Sequence, residues 1–372
     1  MCLLFRRREC NPMKDEVMLV EYMGQEDTSG QLLGHGTKVL KEYYHMLKAD
    51  FSVSVMAPMN VVNILKQDVS VKSAFNKNTV ICEKKNLRNT ISNFLVKQRN
   101  IGHAFRESNG GTIWFCNIDF SLLFYLSFHK KKKTNIIVTM YRKNYGNGIV
   151  RKAKSWVVDR AIQKMGLVIV TSRAFSFDGV RCYYMPDYYY DNNKYDKYID
   201  THKKDMAVCL GTMNQSKKLQ DAIDVFNKIK YPLKIIGRFY SDEWMEQLIR
   251  SSNDNIVIEN RYLSEEEYLQ LMSEAKYCVI PYDKAMYDCR TSGVLQESIF
   301  MRCMPISYDW FLEQNKSQGL LLDRVDECDL YSCDYEYYRQ WCDKEIERTY
   351  NMLLVKSELI KNIRKSIRES RS

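Results

Sequence analysis

Short apolar runs alternate with longer stretches of helical spacing, and the alternation occurs twice along the chain. In the first half the runs fall at residues 17–22, 51–58, 111–116, 135–140, 167–172 and 181–186. Helical patterns separate them at 37–47, 120–128 and 149–164. The second half repeats the scheme, with runs at 206–210, 233–236, 255–259, 277–281 and 304–307. Its helical patterns fall at 219–229, 244–250 and 294–301, and Ser264 followed by Glu267 marks a further helix start with a capping box. Continuous apolar runs linked by helices require parallel sheets covered on both faces, so the chain is read as α/β.

The length of 372 residues exceeds one ordinary core and fits two domains. The expected division is a Rossmann-like domain over 1–198, a second over 199–334, and a helical segment over 335–372 that packs back on the first. The tyrosine-rich polar stretch 187–204 reads as the linker. The twelve cysteines include no Cys-x-x-Cys pair and lie within apolar runs, the pattern of free thiols in a reducing cytoplasm. The apolar stretch at the N-terminus is too short for a secretory signal, and the run 112–128 is broken by Asn117 and Asp119. A cytoplasmic protein is therefore expected. The net charge of +10 points to an anionic partner. The basic tail (Lys361, Arg364, Lys365, Arg368, Arg371) suits either an anionic membrane surface or a solvated helix face. No nucleic-acid reader module is recognisable, so nucleic acid is not an expected partner.

The chemistry concentrates between residues 211 and 307. Gly211-Thr-Met-Asn-Gln-Ser-Lys217-Lys218 follows an apolar run, and Arg290-Thr291-Ser292-Gly293 opens a helix with Glu297 one turn in. Loops beyond the carboxyl ends of parallel strands present free N–H groups to anions. Lysines there suit a diphosphate, and a carboxylate one turn into the helix suits a ribose diol. Arg238 follows Gly237 at a third strand end and offers a bidentate phosphate partner. In the first half, Gly34, His35, Gly36 and Asp119 follow strands and are candidates for the acceptor side, while His103 is a lone histidine on a helical stretch. No Asp-x-Asp pair is placed to hold a metal.

These segments resemble retaining GT-B glycosyltransferases of family four. Gly211…Lys217…Phe226 is similar to their Gly-Arg-x-x-x-x-Lys-Gly segment, with Thr212 at the arginine position. The stretches 260–269, which includes Tyr262, and 275–281 resemble the two segments that follow it. Glu297 falls on the second glutamate of their Glu-x₇-Glu motif, and Cys289 on the first. Tyr141 stands where many relatives have a histidine. The resemblance implies two Rossmann-like domains facing each other across a cleft and a nucleotide-sugar donor, UDP-sugar before GDP-sugar. It also implies a saccharide or lipid-linked acceptor, transfer with retention, and a place in surface polysaccharide biosynthesis. No cofactor or metal is called for. It puts Gly211, Lys217, Lys218, Arg238, Tyr262, Arg290, Thr291, Ser292, Gly293 and Glu297 around the donor. His103, Asp119 and Tyr141 are the candidates for catalysis. Two other readings stay open: a nucleotide-sugar 2-epimerase, from the turn Ser292–Glu297, and a non-catalytic GT-B partner subunit.

Overall fold

A computed structural model describes residues 14–26, 36–80, 86–129, 133–143, 148–333 and 335–371. Gly34, His35 and Lys130 to Lys132 lie outside them. Thirteen strands form two sheets. The first contains β1 (Glu16–Val20), β2 (Ser52–Pro58), β3 (Val71–Phe75), β4 (Thr112–Phe115), β5 (Asn135–Met140), β6 (Leu167–Val170) and β7 (Cys182–Tyr184). The second contains β8 (Lys204–Leu210), β9 (Leu233–Gly237), β10 (Ile256–Asn260), β11 (Ala275–Ile280), β12 (Met304–Ser307) and β13 (Leu320–Leu321). Every pairing is parallel. The orders are β3-β2-β1-β4-β5-β6-β7 and β10-β9-β8-β11-β12-β13.

Both orders reverse direction beside their first strand, between β1 and β4 and between β8 and β11. That reversal parts the connecting loops and leaves a crevice at the carboxyl ends of the strands. The two crevices meet at a short antiparallel contact between the segments after β5 and before the helix Gly293–Phe300. There Lys143 N–H donates to the Cys289 carbonyl (3.3 Å), Thr291 N–H donates to the Tyr141 carbonyl (3.3 Å), and Arg142 bridges Arg290.

Residues alternate across the first sheet, so Val17 and Leu19 pack on one face and Met18 and Val20 on the other. The helix Met352–Arg371 covers the first of these faces. Its Val355, Leu359, Ile363 and Ile367 recur every fourth residue and join the core with Leu40, Phe51 and Trp114. The preceding helix Tyr335–Glu345 packs on the second sheet through Tyr338 and Cys342. One C-terminal segment thus seals both sheets. Buried Glu345 accepts from Arg173 of the first half (2.8 Å), and Tyr190 N–H donates to the Tyr350 carbonyl (2.8 Å). Several tail cations are paired within the chain, Arg364 with Asp50 (3.2 Å), Arg371 with Asp15 (2.9 Å) and Lys361 with Glu358 (2.6 Å). The apolar stripe of this helix packs into the protein core, while Met352, Leu353 and Leu354 at its start stay exposed.

Truncating Ile363, which is fully buried, to alanine should cost about 2–5 kcal/mol in denaturant unfolding. A loss below about 0.5 kcal/mol would mean the helix does not close this core.

Candidate functional site at the interdomain cleft

The second-sheet side is built on two glycines. Gly211 ends β8 at φ +97°, a conformation that glycine adopts without strain. A Cβ on Gly237, at the end of β9, would run into the Gly211 carbonyl. Neighbouring strand ends are thereby held in close approach, and Met213 N–H donates to the Arg238 carbonyl (2.9 Å). The Arg238 side chain is exposed, and no described residue pairs with it. Lys217 behaves differently. It is only 7% exposed, and its Nζ donates to the Leu210 carbonyl (2.9 Å) at the strand end. The structure thus turns Lys217 inward as a brace of the loop rather than out towards a diphosphate. Lys218 is exposed at the N-cap of the helix Leu219–Ile229, with its ammonium 5.9 Å from the Tyr308 ring. Lys218 and Arg238 are the cations this edge presents.

The helix Gly293–Phe300 starts at Ser292, whose Oγ accepts from Leu295 N–H (3.3 Å) and lies 3.3 Å from the Tyr282 hydroxyl. Capping therefore consumes the Ser292 hydroxyl. Thr291 Oγ1 is buried and has no partner among the described residues. A Cβ on Gly293 would lie 2.6 Å from the Tyr188 ring, so glycine admits that ring over the helix start. Gln296 Oε1 fixes the same segment by accepting from Tyr188 N–H (2.8 Å). Arg290 donates to the Met286 carbonyl (3.0 Å) and stacks over Tyr287. Glu297 is half-buried, and burial raises its pKa to about 7 against the opposing charges of Lys194 and Lys38. The Tyr268 hydroxyl faces it from outside hydrogen-bonding geometry. Tyr262 is 82% exposed beyond β10, the outermost strand, away from the switch point.

The first-sheet side closes a cavity of about 450 Å³. Lys38, Glu42, Tyr141, Asp187, Tyr188 and Thr291 are among the residues that line it. The Tyr141 hydroxyl is buried and faces the Tyr43 hydroxyl. Lys38 Nζ sits 5.0 Å from the Tyr188 ring centroid and 3.9 Å from Glu42. Burial, with Glu42 nearby, raises the Asp187 pKa to about 6 against the pull of Lys38. Gly36, which also lines the cavity, begins the helix Gly36–Leu47 beside Glu21, and a Cβ there would lie 3.2 Å from Glu21 Oε2. Glu21 follows β1, is 3% exposed, and accepts from Met23 N–H (2.8 Å) and Gly24 N–H (3.4 Å). Burial outweighs those bonds and raises its pKa to about 7.

Sequence reasoning missed Glu21, Glu42 and Asp187. One signal was available: Glu21 is the charged residue that ends an otherwise apolar run. Two expected catalytic residues are not brought to this cavity. Asp119 caps the helix Phe120–Phe128, accepting from Ser121 N–H (2.8 Å), the Tyr22 hydroxyl (2.8 Å) and Lys97 Nζ (2.6 Å). Burial alone would raise its pKa; Lys97, Tyr22 and Ser121 together hold it below the usual carboxylate value. A carboxylate so committed serves the fold. His103 lies on the helix Leu87–Glu107, 3.5 Å from Glu107 and edge-on to Phe75, off the cavity wall. Cys289 adopts φ +55°, and its thiol faces the Ala174 carbonyl. Among the described residues no cluster of His, Cys, Asp or Glu could hold a metal ion, and no helix is long and apolar enough to cross a membrane.

Two parallel sheets of like order, opposed at their carboxyl ends, match solved structures over nearly the whole chain. The Anabaena protein HepE in complex with UDP aligns with a TM-score of 0.65 at 11% identity, covering 94% of this chain and 100% of that one. The N-terminal domain of Candida albicans trehalose-6-phosphate phosphatase aligns at 0.64 and 10% identity, covering 95% and 98%. The UDP-forming α,α-trehalose-phosphate synthase of Burkholderia vietnamiensis aligns at 0.62 and 9% identity, covering 97% and 100%. The fold is GT-B. No protein-family model matches the sequence, and no curated protein matches it. At such identities the GT-B likeness extends to the chain path and leaves the chemistry to the site itself.

Glu21 gives this cleft a pH signature. Its folded-state pKa lies above its unfolded value, so its contribution to stability is full below about 4.5 and is lost as pH rises through about 7. The loss is on the order of 3 kcal/mol. Glu21→Gln keeps the acceptor oxygen and removes the ionisation. Its melting temperature should match the parent near pH 4 and exceed it near pH 8. An equal difference at both pH values would show that Glu21 titrates normally.

Proposed function

We propose that the protein is a glycosyltransferase that moves a sugar from a nucleotide-sugar donor to a hydroxyl-bearing acceptor. The observation that carries the reading is the joined cleft. It combines exposed cations at two strand ends, a helix N-terminus and a carboxylate one turn in, opposite a cavity large enough for a saccharide. Lys218 and Arg238 would take the diphosphate, with the N–H groups at the start of the helix Gly293–Phe300. Glu297 would accept the ribose hydroxyls. In the transfer, the bond from the anomeric carbon to the diphosphate oxygen breaks and a bond to the acceptor oxygen forms. Charge grows on the departing diphosphate, and its freed oxygen takes the acceptor proton. Cations fixed beforehand at that position stabilise the transition state electrostatically.

The likeness to structures solved with UDP or described as UDP-forming favours a UDP-sugar over a GDP-sugar. Retention of configuration, a hexosyl group and a role in surface polysaccharide synthesis come from the family-four resemblance. A lipid-linked saccharide at an anionic membrane surface suits the +10 net charge, and a free saccharide suits the cavity equally. Asp187 and Tyr141 would orient the acceptor hydroxyl.

A second reading is a GT-B partner without catalysis. It is favoured by the inward turn of Lys217 and by Cys289 and Tyr141 where the resemblance expects a glutamate and a histidine. The 2-epimerase reading shares the donor site and differs in needing no acceptor, so product analysis separates it.

Titration with UDP-glucose tests the donor reading, because its phosphates do not ionise near neutrality. With a Glu297 pKa of about 7, the carboxylate is mostly protonated at pH 6 and mostly ionised at pH 8. Affinity should therefore rise up to about tenfold between those values, and Glu297→Gln should flatten the profile. Lys218→Ala with Arg238→Ala should weaken binding at least about tenfold. Absence of binding by any UDP- or GDP-sugar sinks the enzyme reading. Binding without transfer or epimerisation, across a panel of acceptors, supports the partner reading.

A further inference from the structure

Three helices cover the Met18 and Val20 face of the first sheet: Leu87–Glu107, Phe120–Phe128 and Gly148–Ile162. Each turns a buried side inward, through Phe105, Leu123 and Val158 respectively. Their outer side is not polar, as the face of a solvated helix would be. Leu87 is 76% exposed, and Ile91 and Leu95 follow it at intervals of four residues, each about half exposed. From there the apolar surface crosses to the other two helices through ring contacts. Phe94 meets Phe124 (5.4 Å), Phe124 meets Phe128 (4.7 Å), and Phe128 meets Trp156 (6.0 Å). Phe128 and Trp156 are themselves more than half exposed. Single exposed apolar residues are ordinary, but a contiguous band across three helices marks a surface that meets a partner.

The charges around the band select that partner. Arg88 and Arg99 are exposed and lie three helical turns apart on one line beside the aliphatic row. Lys154 holds its ammonium 5.5 Å from the Phe120 ring, and Arg160 holds its guanidinium 5.4 Å from Trp156. Lys133 is exposed shortly after Phe128 in the chain. None of these five cations has a carboxylate partner among the described residues. The carboxylates nearby are occupied locally, Asp119 by Lys97 (2.6 Å), Glu107 by His103 (3.5 Å) and Asp159 by Ser155 (3.4 Å). Rings and aliphatic chains bordered by unpaired cations suit an anionic bilayer, where the apolar groups enter the interfacial layer and the cations stay among the headgroups. A second copy seated on this face would set like charges against each other.

The band also has a fixed place relative to the cleft. Asn89 and Asn93 both donate to the Val80 carbonyl (2.9 and 2.7 Å), and Val80 pairs with Glu26 beyond β1. The helix Leu87–Glu107 therefore starts at the carboxyl end of the first sheet, and Phe120, which follows β4, lies at the same end. A bilayer held on this face borders the first-sheet side of the cleft, the side that would hold the acceptor.

We propose that this face docks the protein on an anionic lipid bilayer. Its test uses no sugar nucleotide, so it stands or falls apart from the transfer reading. The full chain is co-sedimented with vesicles of phosphatidylcholine, with and without phosphatidylglycerol. Binding should require the anionic lipid and should weaken as salt is raised. Phe128→Ser combined with Trp156→Ser should weaken it at least about tenfold, because two inserted rings are lost. Arg88→Gln combined with Arg160→Gln should weaken it several fold. These positions are exposed, and an unchanged melting temperature checks that the variants fold. Vesicles should shift the tryptophan emission to the blue, and Trp156→Phe should remove that shift while keeping the binding. Absence of binding to anionic vesicles at low salt overturns the proposal, as does equal binding to phosphatidylcholine alone. Binding that survives the loss of Phe128 and Trp156 but is abolished by Lys365→Gln with Arg368→Gln overturns it in favour of the C-terminal helix. Self-association that the Phe128 and Trp156 substitutions abolish, without vesicle binding, overturns it in favour of a second copy.

Discussion

A fully parallel sheet exposes apolar residues on both faces, and neither face can be left to water. That constraint governs this molecule. The crossover helices between strands cover most of both sheets, but one face of the first sheet still needs the helix Met352–Arg371 from the far end of the chain. Its ridge of Val355, Leu359, Ile363 and Ile367 completes the core around Trp114. To reach that place the chain passes over the second sheet through Tyr338 and Cys342. The buried Glu345, held by Arg173 and Arg348, lies on this crossing. A carboxylate taken out of water needs such partners, and removing one would leave an uncompensated charge.

The same strand direction assembles the cleft. Because every strand points one way within its sheet, all the loops that can bear chemistry emerge along one edge. The reversal of strand order opens a crevice in each edge, and the contact of residues 141–143 with 289–291 joins the two. Glycines set the distances. Gly211 and Gly237 bring two strand ends together, Gly293 admits Tyr188, and Gly36 brings a helix start against Glu21. Three carboxyl groups in or beside the cleft, Glu21, Asp187 and Glu297, are then partly desolvated and titrate closer to neutrality than carboxylates in water.

Much of the fold was legible in the sequence because its signals are local. The helices Phe120–Phe128 and Leu219–Ile229 and the strand Asn135–Met140 lie where periodicity places them. The capping box at Ser264 and Glu267 forms as its spacing requires. What was missed lacks such a signal. The strands Val71–Phe75 and Leu320–Leu321 are short members at or near sheet edges. The helix Leu87–Glu107 carries Leu87, Ile91 and Leu95 on an exposed face, so its apolar pattern does not mark its core. At the candidate site, residues on one continuous segment were legible: the turn before the helix Gly293–Phe300 and the loop after β8. Partners from distant segments were not. Tyr188 meets Gly293 and Asp187 faces Glu42 only once both sheets exist, and nothing in the spacing of residues 187–188 reports that. Asp119 and His103 show the converse error, where a polar residue after a strand or on a helix serves a cap or a surface pair.

The C-terminal helix carries one more consequence, for the order in which the molecule can be made. On the ribosome the strands of the first sheet emerge well before the helix that covers one of their faces, and the entire second sheet is synthesised in between. Domains usually fold as units from the N-terminal side during synthesis. Here the earlier unit must wait with Ile137 and Ile169, on the same face of β5 and β6, uncovered until residues 352–371 have emerged. The nascent chain therefore passes through an interval in which an apolar sheet face is open. A chaperone has its opportunity there, and so does aggregation.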